Sequence, residues 1–227
     1  MKKIAISILA SMFLATSTFA GGVTVGVSGG IVHVDAGGKE TTTAGDIAGG
    51  AANTNNGDAE NTVVIPSLFA EYNSDIMGIT LGLEVIPGSA DVNNGVKSRT
   101  ENAQGVSGTD ATGAVTRKAQ AEIENVRTIY AELPVGGDGL YVKAGYTMFD
   151  LNTLENAVTS SGTYGNTTDV DGYVVGVGIK KDYAPYVVKF AFEMAEYEEI
   201  SLTSTTSNKI TADLDTVSAK LSLGYSF

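Results

Sequence analysis

Apolar and polar residues alternate with a period of two through most of this chain, in eight segments of roughly ten residues. In residues 79–85 every second residue is aliphatic, and Thr80, Gly82 and Glu84 lie between the aliphatic positions. Residues 216–227 repeat the pattern to the end of the sequence. Because successive side chains of a β-strand point to opposite faces, this period predicts strands with one apolar and one polar face. The chain is therefore predicted to be all-β.

The predicted strands are separated by turn-forming residues. They lie at approximately residues 22–34, 62–73, 79–85, 121–133, 140–150, 171–181, 188–194 and 216–227. The register is ambiguous in residues 62–73 and 121–133. Placing Arg127 on the polar face of the second of these segments sends both Tyr130 and Glu132 to the apolar face. An outward Glu132 would be tolerable only at an interface.

The connections between the predicted strands alternate in length. Three are short, at residues 73–78, 134–139 and 181–185, and four are long, at residues 35–61, 88–118, 151–170 and 196–210. With an even number of strands, both ends of the mature chain fall on the side of the short turns. Outer-membrane barrels have this arrangement, with short periplasmic turns and long extracellular loops. A soluble β-sandwich, the alternative fold, has no need of it and would expose the apolar faces to water.

The lengths and faces of the segments fit a lipid environment. A tilted strand crosses a bilayer in about 9–11 residues, and strands survive in lipid only where the sheet closes on itself. The predicted outer faces are almost entirely Val, Leu, Ile, Ala, Phe and Tyr. These features predict an eight-stranded antiparallel up-and-down transmembrane β-barrel over residues 21–227.

Residues 1–20 have the features of a cleavable secretory signal peptide. Lys2 and Lys3 precede an apolar stretch at residues 4–14, and Thr18-Phe19-Ala20 has the small-x-small pattern of a cleavage site. The apolar stretch is shorter than the ~20 residues that a membrane-spanning helix needs. The absence of cysteine excludes disulfides, thiolate metal sites and a lipoprotein anchor, and the formal net charge of -12 argues against binding of nucleic acid.

The last eight residues, Lys-Leu-Ser-Leu-Gly-Tyr-Ser-Phe, place apolar side chains on one face up to the final residue. This segment resembles the C-terminal assembly signal of bacterial outer-membrane proteins, which would here consist of Leu221, Leu223, Tyr225 and Phe227. With the leader and the alternating connections, the whole chain resembles the small eight-stranded barrels of the opacity-protein, porin-like family. The resemblance implies a Gram-negative outer-membrane protein, inserted by the barrel assembly machinery through its C-terminal strand.

The sequence has no tryptophan, so the aromatic girdles at the two membrane surfaces must come from Tyr and Phe. The candidates for these girdles are Tyr72, Tyr130, Tyr146, Tyr173, Tyr186, Phe190, Tyr225 and Phe227.

Charged residues within the strands are predicted to face the barrel interior. This interior charge network comprises Glu71, Glu84, Arg127, Lys143, Lys189, Glu193 and Lys220. The interior of an eight-stranded barrel is just wide enough for side chains to fill, and buried opposite charges are normally paired, so a mostly closed interior is expected. The alternative is an aqueous path past the inward glycines at positions 26, 82, 145, 176 and 178, which could equally seat large neighbours such as Tyr141 and Phe149.

No catalytic, cofactor or metal site is predicted. His33 is the single imidazole; an acyl-chain-modifying enzyme would need it beside a serine and a carboxylate, and the spacing to Ser28, Ser67 or Glu71 does not single out such a site. Acidic residues cluster in the first and fourth long connections, and residues 169–172 read Asp-Val-Asp-Gly. The later ligands of a calcium loop are missing, so a solvated acidic surface is predicted.

The sequence therefore predicts a monomeric, non-enzymatic outer-membrane protein with surface or envelope roles. Its expected partners are outer-membrane lipids, the barrel assembly machinery and an extracellular ligand of the loops that the sequence does not identify. The alternative function is a narrow porin-like channel for ions or small solutes.

Overall fold

A computed structural model describes residues 22–41, 54–75, 77–92, 97–103, 113–153, 165–204 and 207–227. The predicted signal peptide lies outside the described residues. Within the described part of the chain the strands are β1 (Gly22–Thr41), β2 (Thr54–Asn73), β3 (Thr80–Asp91), β4 (Lys97–Ala103), β5 (Gly113–Ala119), β6 (Ala121–Pro134), β7 (Leu140–Thr153), β8 (Thr167–Tyr183), β9 (Tyr186–Tyr197), β10 (Ile200–Thr203) and β11 (Lys209–Ser226).

Eight of these strands form one closed antiparallel barrel. Their order around the sheet is β1-β2-β3-β6-β7-β8-β9-β11, and β11 pairs back onto β1 from Thr24↔Ser226 to Thr41↔Lys209. Every barrel strand lies beside the next barrel strand along the chain, which is the up-and-down topology. The predicted fold class is confirmed.

The remaining three strands lie on the side of the long connections. β4 and β5 form a separate two-stranded sheet, while β10 pairs with β11 beyond the end of β9. The first long connection, predicted at residues 35–61, is shorter in the structure, because β1 and β2 stay paired as far as Thr41↔Thr54. This extension is rich in Gly, Asn and Asp, exposed on one face and half-buried on the other. It therefore lacks the apolar face on which the sequence pattern depends.

The outer surface of the barrel is apolar between two groups of aromatic side chains. Around the short-turn end, Tyr225 packs edge-on against Tyr186 and Phe227, with ring centroids 5.8 Å and 4.9 Å apart. Nearer the other end Tyr146 and Tyr173 form a similar pair at 5.6 Å. The exposed apolar side chains between these groups include Val27, Ile31, Leu68, Leu81, Ile129, Leu133, Val142, Val175, Val177, Ile179, Phe190, Phe192, Val217, Leu221 and Leu223. No helix among the described residues is long and apolar enough to cross a membrane.

The structure settles which side chains of β2 and β6, the two strands of ambiguous register, point into the barrel. Ser67, Phe69 and Glu71 of β2 point into the barrel, and so do Tyr130 and Glu132 of β6. The placement of Tyr130 in an outer girdle is therefore wrong. Its hydroxyl group needs a hydrogen-bond partner when buried, and the carboxylate of Glu71 supplies one at 2.7 Å.

Inward glycines provide the space for the aromatic rings inside the barrel. A Cβ atom at Gly82 would overlap the ring of Tyr130, and one at Gly178 would overlap the ring of Tyr141. We expect Gly82→Ala to lower the free energy of unfolding by about 1–3 kcal/mol, because an overpacked core must shift. Urea titration in lipid vesicles measures the difference. Gly29→Ala is the matched control, since nothing lies within 4 Å of a Cβ there; equal stability of the two variants would contradict the packing.

Candidate functional site

The barrel interior near the short-turn end is filled by charged side chains. Six of the seven residues in the predicted interior network lie here, together with Glu132, which the sequence prediction missed. The charged side chains of this interior cluster are Glu71, Glu84, Glu132, Lys143, Lys189, Glu193 and Lys220, and none is more than 11% exposed.

Two carboxylates and two ammonium groups form the first half of the interior cluster. Lys143 Nζ lies 2.6 Å from Glu193 Oε1 and 3.4 Å from Glu84 Oε2. Lys220 Nζ lies 3.0 Å from Glu84 Oε2 and 2.9 Å from Glu193 Oε2. Ser67 Oγ also donates a hydrogen bond of 2.6 Å to Glu84 Oε1. Each charge thus faces two opposite charges, which offsets the free energy of removing it from water.

The second half of the interior cluster is centred on Lys189. Its ammonium group pairs with the carboxylates of both Glu71 and Glu132. Lys143 Nζ lies 4.0 Å from the centroid of the Tyr130 ring, in the position of a cation–π contact, and so connects the two halves.

The ion pairs of the interior cluster cross the lumen. Glu84 on β3 meets Lys220 on β11, and Glu71 on β2 meets Lys189 on β9, although neither pair of strands is adjacent in the barrel. The cavity found among these side chains measures about 10 Å³. That is no more than the space for one water molecule. The charged side chains therefore close the lumen in this half of the barrel.

Arg127 does not belong to the interior cluster, and its predicted inward position is corrected by the structure. Because Thr128, Tyr130 and Glu132 point inward, Arg127 points outward and pairs with Asp169 on the outer surface. An outward arginine is tolerable there, since the pair lies beyond the apolar outer band, next to exposed polar residues. The alternation could have revealed Glu132 if it had been anchored on Lys143, which lies directly opposite in the register.

The upper half of the interior, on the side of the long connections, contains a pocket of about 450 Å³ with a mostly apolar lining. Its walls come from several strands and include Val32, Val63, Ile65, Ile123, Val126 and Val174. Glu193 and Lys220 of the interior cluster form its floor. Beyond the pocket a buried apolar cluster that includes Leu151, Leu214 and Val92 packs across the interior at the long-connection end. The pocket therefore lies between a charged layer below and an apolar layer above.

The pocket has an opening through the barrel wall between β2 and β3. Among the described residues these strands pair from Leu68↔Val85 to Asn73↔Thr80, and none pairs further toward the long connections. Pro66 and Pro87 flank the point of separation, and the pairing of β3 with β6 shifts between Ile86 and Ser89. Proline lacks the N–H that a sheet ladder requires, and a bulge redirects its strand.

The opening between β2 and β3 is closed at its end nearest the long connections. Asn61 Nδ2 donates a hydrogen bond of 2.8 Å to the carbonyl oxygen of Asp91, which bridges β2 and β3 again. Residues 62–67 and 86–90 therefore frame a window in the barrel wall, and most of them also line the pocket.

The structure does not bring His33 together with the serines and the carboxylate considered as its catalytic partners. His33 lies on the outer surface, where its Nδ1 is 3.0 Å from Thr62 Oγ1. Ser28, Ser67 and Glu71 point into the barrel. Among the described residues no group of three or more His, Cys, Asp or Glu side chains is arranged to hold a metal ion.

The residues of the predicted assembly signal share the outer face of β11. Leu221, Leu223, Tyr225 and Phe227 are all exposed on the apolar surface. The strand that carries them closes the barrel, and Phe227 N donates a hydrogen bond of 2.9 Å to Val23 O.

Comparison with solved structures finds bacterial outer-membrane proteins of low sequence identity. The outer membrane protease OmpT from Escherichia coli is 10% identical, with 94% of this chain and 100% of that chain covered and a TM-score of 0.49. The outer membrane protein OprG from Pseudomonas aeruginosa is 13% identical, with 92% and 96% covered and a TM-score of 0.49. Ail, the attachment invasion locus protein of Yersinia pestis, solved with a heparin analogue, is 8% identical, with 89% and 99% covered and a TM-score of 0.40.

No protein-family model and no curated protein matches the chain. The chain is thus similar to outer-membrane proteins of different activities, and these similarities identify no activity for it. The closed ladder of eight strands establishes the fold, a small antiparallel up-and-down β-barrel.

Proposed function

We propose that this chain is a non-enzymatic protein of the bacterial outer membrane whose barrel does not conduct ions. Its function lies in the half of the barrel that carries the long connections. There β1 and β2 extend beyond the apolar outer band, and β4 and β5 form a further hairpin. These extensions form an acidic surface that includes Asp35, Asp58 and Glu60. Such a surface is suited to contacts outside the cell.

The interior cluster supports this proposal most directly. An aqueous path through the barrel would have to separate ion pairs such as Lys143–Glu193 and Lys220–Glu84, whose atoms lie 2.6 Å and 3.0 Å apart. Separating them in a narrow interior would leave uncompensated charges, which is strongly unfavourable. The same ion pairs weigh against the alternative function of a porin-like channel.

Planar-bilayer recording tests the proposal. We expect no discrete current steps from inserted barrels of residues 21–227, with insertion verified by a heat-dependent gel shift. The control replaces Glu84, Lys143, Glu193 and Lys220 with alanine, which removes two charges of each sign and widens the lumen. Steps from this variant alone would support a lumen closed by the interior cluster. Reproducible steps from the unaltered barrel would instead favour the channel.

We further propose that residues 1–20 direct export and that the C-terminal strand is read by the barrel assembly machinery. The exposed apolar row ending at Phe227 supports this role. We expect deletion of Phe227 to reduce the yield of folded barrel in the outer membrane several-fold while export continues. Heat-dependent gel mobility of membrane and periplasmic fractions measures both. Deletion of Met1 to Ala20 should instead block export, and a normal yield without Phe227 would count against the assembly signal.

A further inference from the structure

We propose that the pocket in the upper half of the barrel binds the aliphatic chain of a single-chain amphiphile with an uncharged head group, which enters sideways through the window between β2 and β3. This proposal adds a ligand site to the sealed barrel of the proposed function. It requires only the pocket and the window.

The size and lining of the pocket suit an aliphatic chain. About 450 Å³ lies within the range of small-molecule sites, which are typically about 300–1,000 Å³. Val32, Val63, Ile65, Val126 and Val174 supply aliphatic walls from β1, β2, β6 and β8. The basic group of the lining, Lys220, is ion-paired with two carboxylates at the floor. Hydroxyl groups also line the pocket, from Thr128, Thr147, Thr216 and Ser218, but apolar side chains predominate. The lining therefore favours a ligand that is mostly apolar.

The position of the window determines the route of entry. The buried apolar cluster, whose Val32 and Val34 also line the pocket, lies toward the long connections, and the interior cluster lies at the opposite end of the pocket. Beside the window, Val64 faces outward with 78% of its surface exposed, in register with Ile31 of the apolar outer band. The window therefore meets the upper margin of the lipid-facing surface, where the chains of amphiphiles are present at high concentration.

The charges around the window determine the head group. The described residues at its rim include Asp91, Glu122 and Glu124, while Glu60 lies on the neighbouring part of β2. Arg127 lies opposite Val85 at the lower edge of the window, but its guanidinium group is paired with Asp169. The remaining charges of the rim are acidic and repel a ligand of negative charge. The head group would remain at this rim when the chain fills the pocket, so an anionic amphiphile is disfavoured and an uncharged one is accepted.

The absence of native tryptophan allows a clean test. Tyr197→Trp places one tryptophan in the pocket wall, and Tyr141→Trp places one in the sealed half. Tyr141 suits this control because its hydroxyl group has no hydrogen-bond partner among the described residues. Tyr173→Trp on the outer surface reports contact with the bilayer. Each full-length variant is purified from outer membranes, reconstituted in phosphatidylcholine vesicles and titrated with terminally brominated dodecanol, whose bromine quenches tryptophan on contact.

We expect saturable quenching at Tyr197→Trp, unsaturated quenching at Tyr173→Trp and none at Tyr141→Trp. Brominated dodecyl sulfate should bind the pocket about tenfold more weakly than the alcohol, because of the acidic rim. Adding Val63→Phe, or Val126→Phe where the first variant fails to fold, should abolish the saturable quenching. Quenching at position 197 no greater than at position 141, or unaffected by either phenylalanine, would overturn the site. Equal binding of the sulfate would overturn the head-group preference.

The quenching experiment and the bilayer recording test different parts of the barrel. Current steps would show that the interior cluster opens, whereas loss of quenching would show that the pocket takes no chain.

Discussion

Leu221→Arg is expected to destabilise the barrel by about 2–4 kcal/mol, because it places a charge on the lipid-facing surface near the middle of the apolar band. Leu221 lies on the outer face of β11 with 60% of its surface exposed, between Val217 and Leu223. The arginine side chain is too far from either margin of the band to reach water without strain. Equilibrium unfolding in vesicles, followed by circular dichroism, measures the loss.

Asp215→Arg provides the matched control for this substitution. Asp215 occupies the same face of the same strand but lies beyond the apolar band, where the side chain is exposed next to polar neighbours. Its replacement should change stability by no more than about 0.5 kcal/mol. If the variants at positions 215 and 221 unfold alike, the outer face of β11 does not contact lipid.

Glu84→Leu is expected to lower the free energy of unfolding by about 3–5 kcal/mol, because removing one partner of a buried ion pair leaves the other charge uncompensated. Glu84 faces both Lys143 and Lys220, and it accepts a hydrogen bond from Ser67 as well. Urea titration of the variant and the unaltered barrel in the same vesicles gives the difference.

The double variant Glu84→Leu/Lys220→Leu separates loss of charge balance from loss of packing. Removing one charge of each sign leaves Lys143 paired with Glu193 at 2.6 Å. We expect the double variant to recover part of the stability that the single variant loses. The ion pairing would be contradicted if the double variant lost more unfolding free energy than the two single variants lose together.

The sequence was sufficient to predict the barrel because its apolar outer face imposes a strict period of two. Residues 79–85 and 216–227 are examples, since each outward position there is apolar and each inward one is small or charged. The pattern was insufficient where this contrast is lost. Beyond the apolar band both faces of β1 and β2 meet water, so their extension to Thr41 and Thr54 leaves no such signal.

The composition of the interior could be predicted apart from Arg127 and Glu132, whereas its geometry could not. Lys189 and Glu71 are far apart in sequence and meet only because the barrel closes. The pocket depends on the separation of β2 from β3, for which Pro66 and Pro87 are the visible signs in the sequence. A proline in a strand shows where a ladder is weakened. It does not show whether the gap leads to a cavity.

The interrupted pairing between β2 and β3 also has a consequence for how the barrel opens. β1 is held along nearly its whole length by β2 and β11, while β3 is joined to β2 only from Leu68↔Val85 to Asn73↔Thr80. Local opening proceeds most easily where few backbone hydrogen bonds must break. Amide hydrogens along this seam should therefore exchange with solvent deuterium before those of the β1–β11 closure. The β2–β3 pairing is thus the weakest part of the barrel wall, and deuterium uptake should begin there.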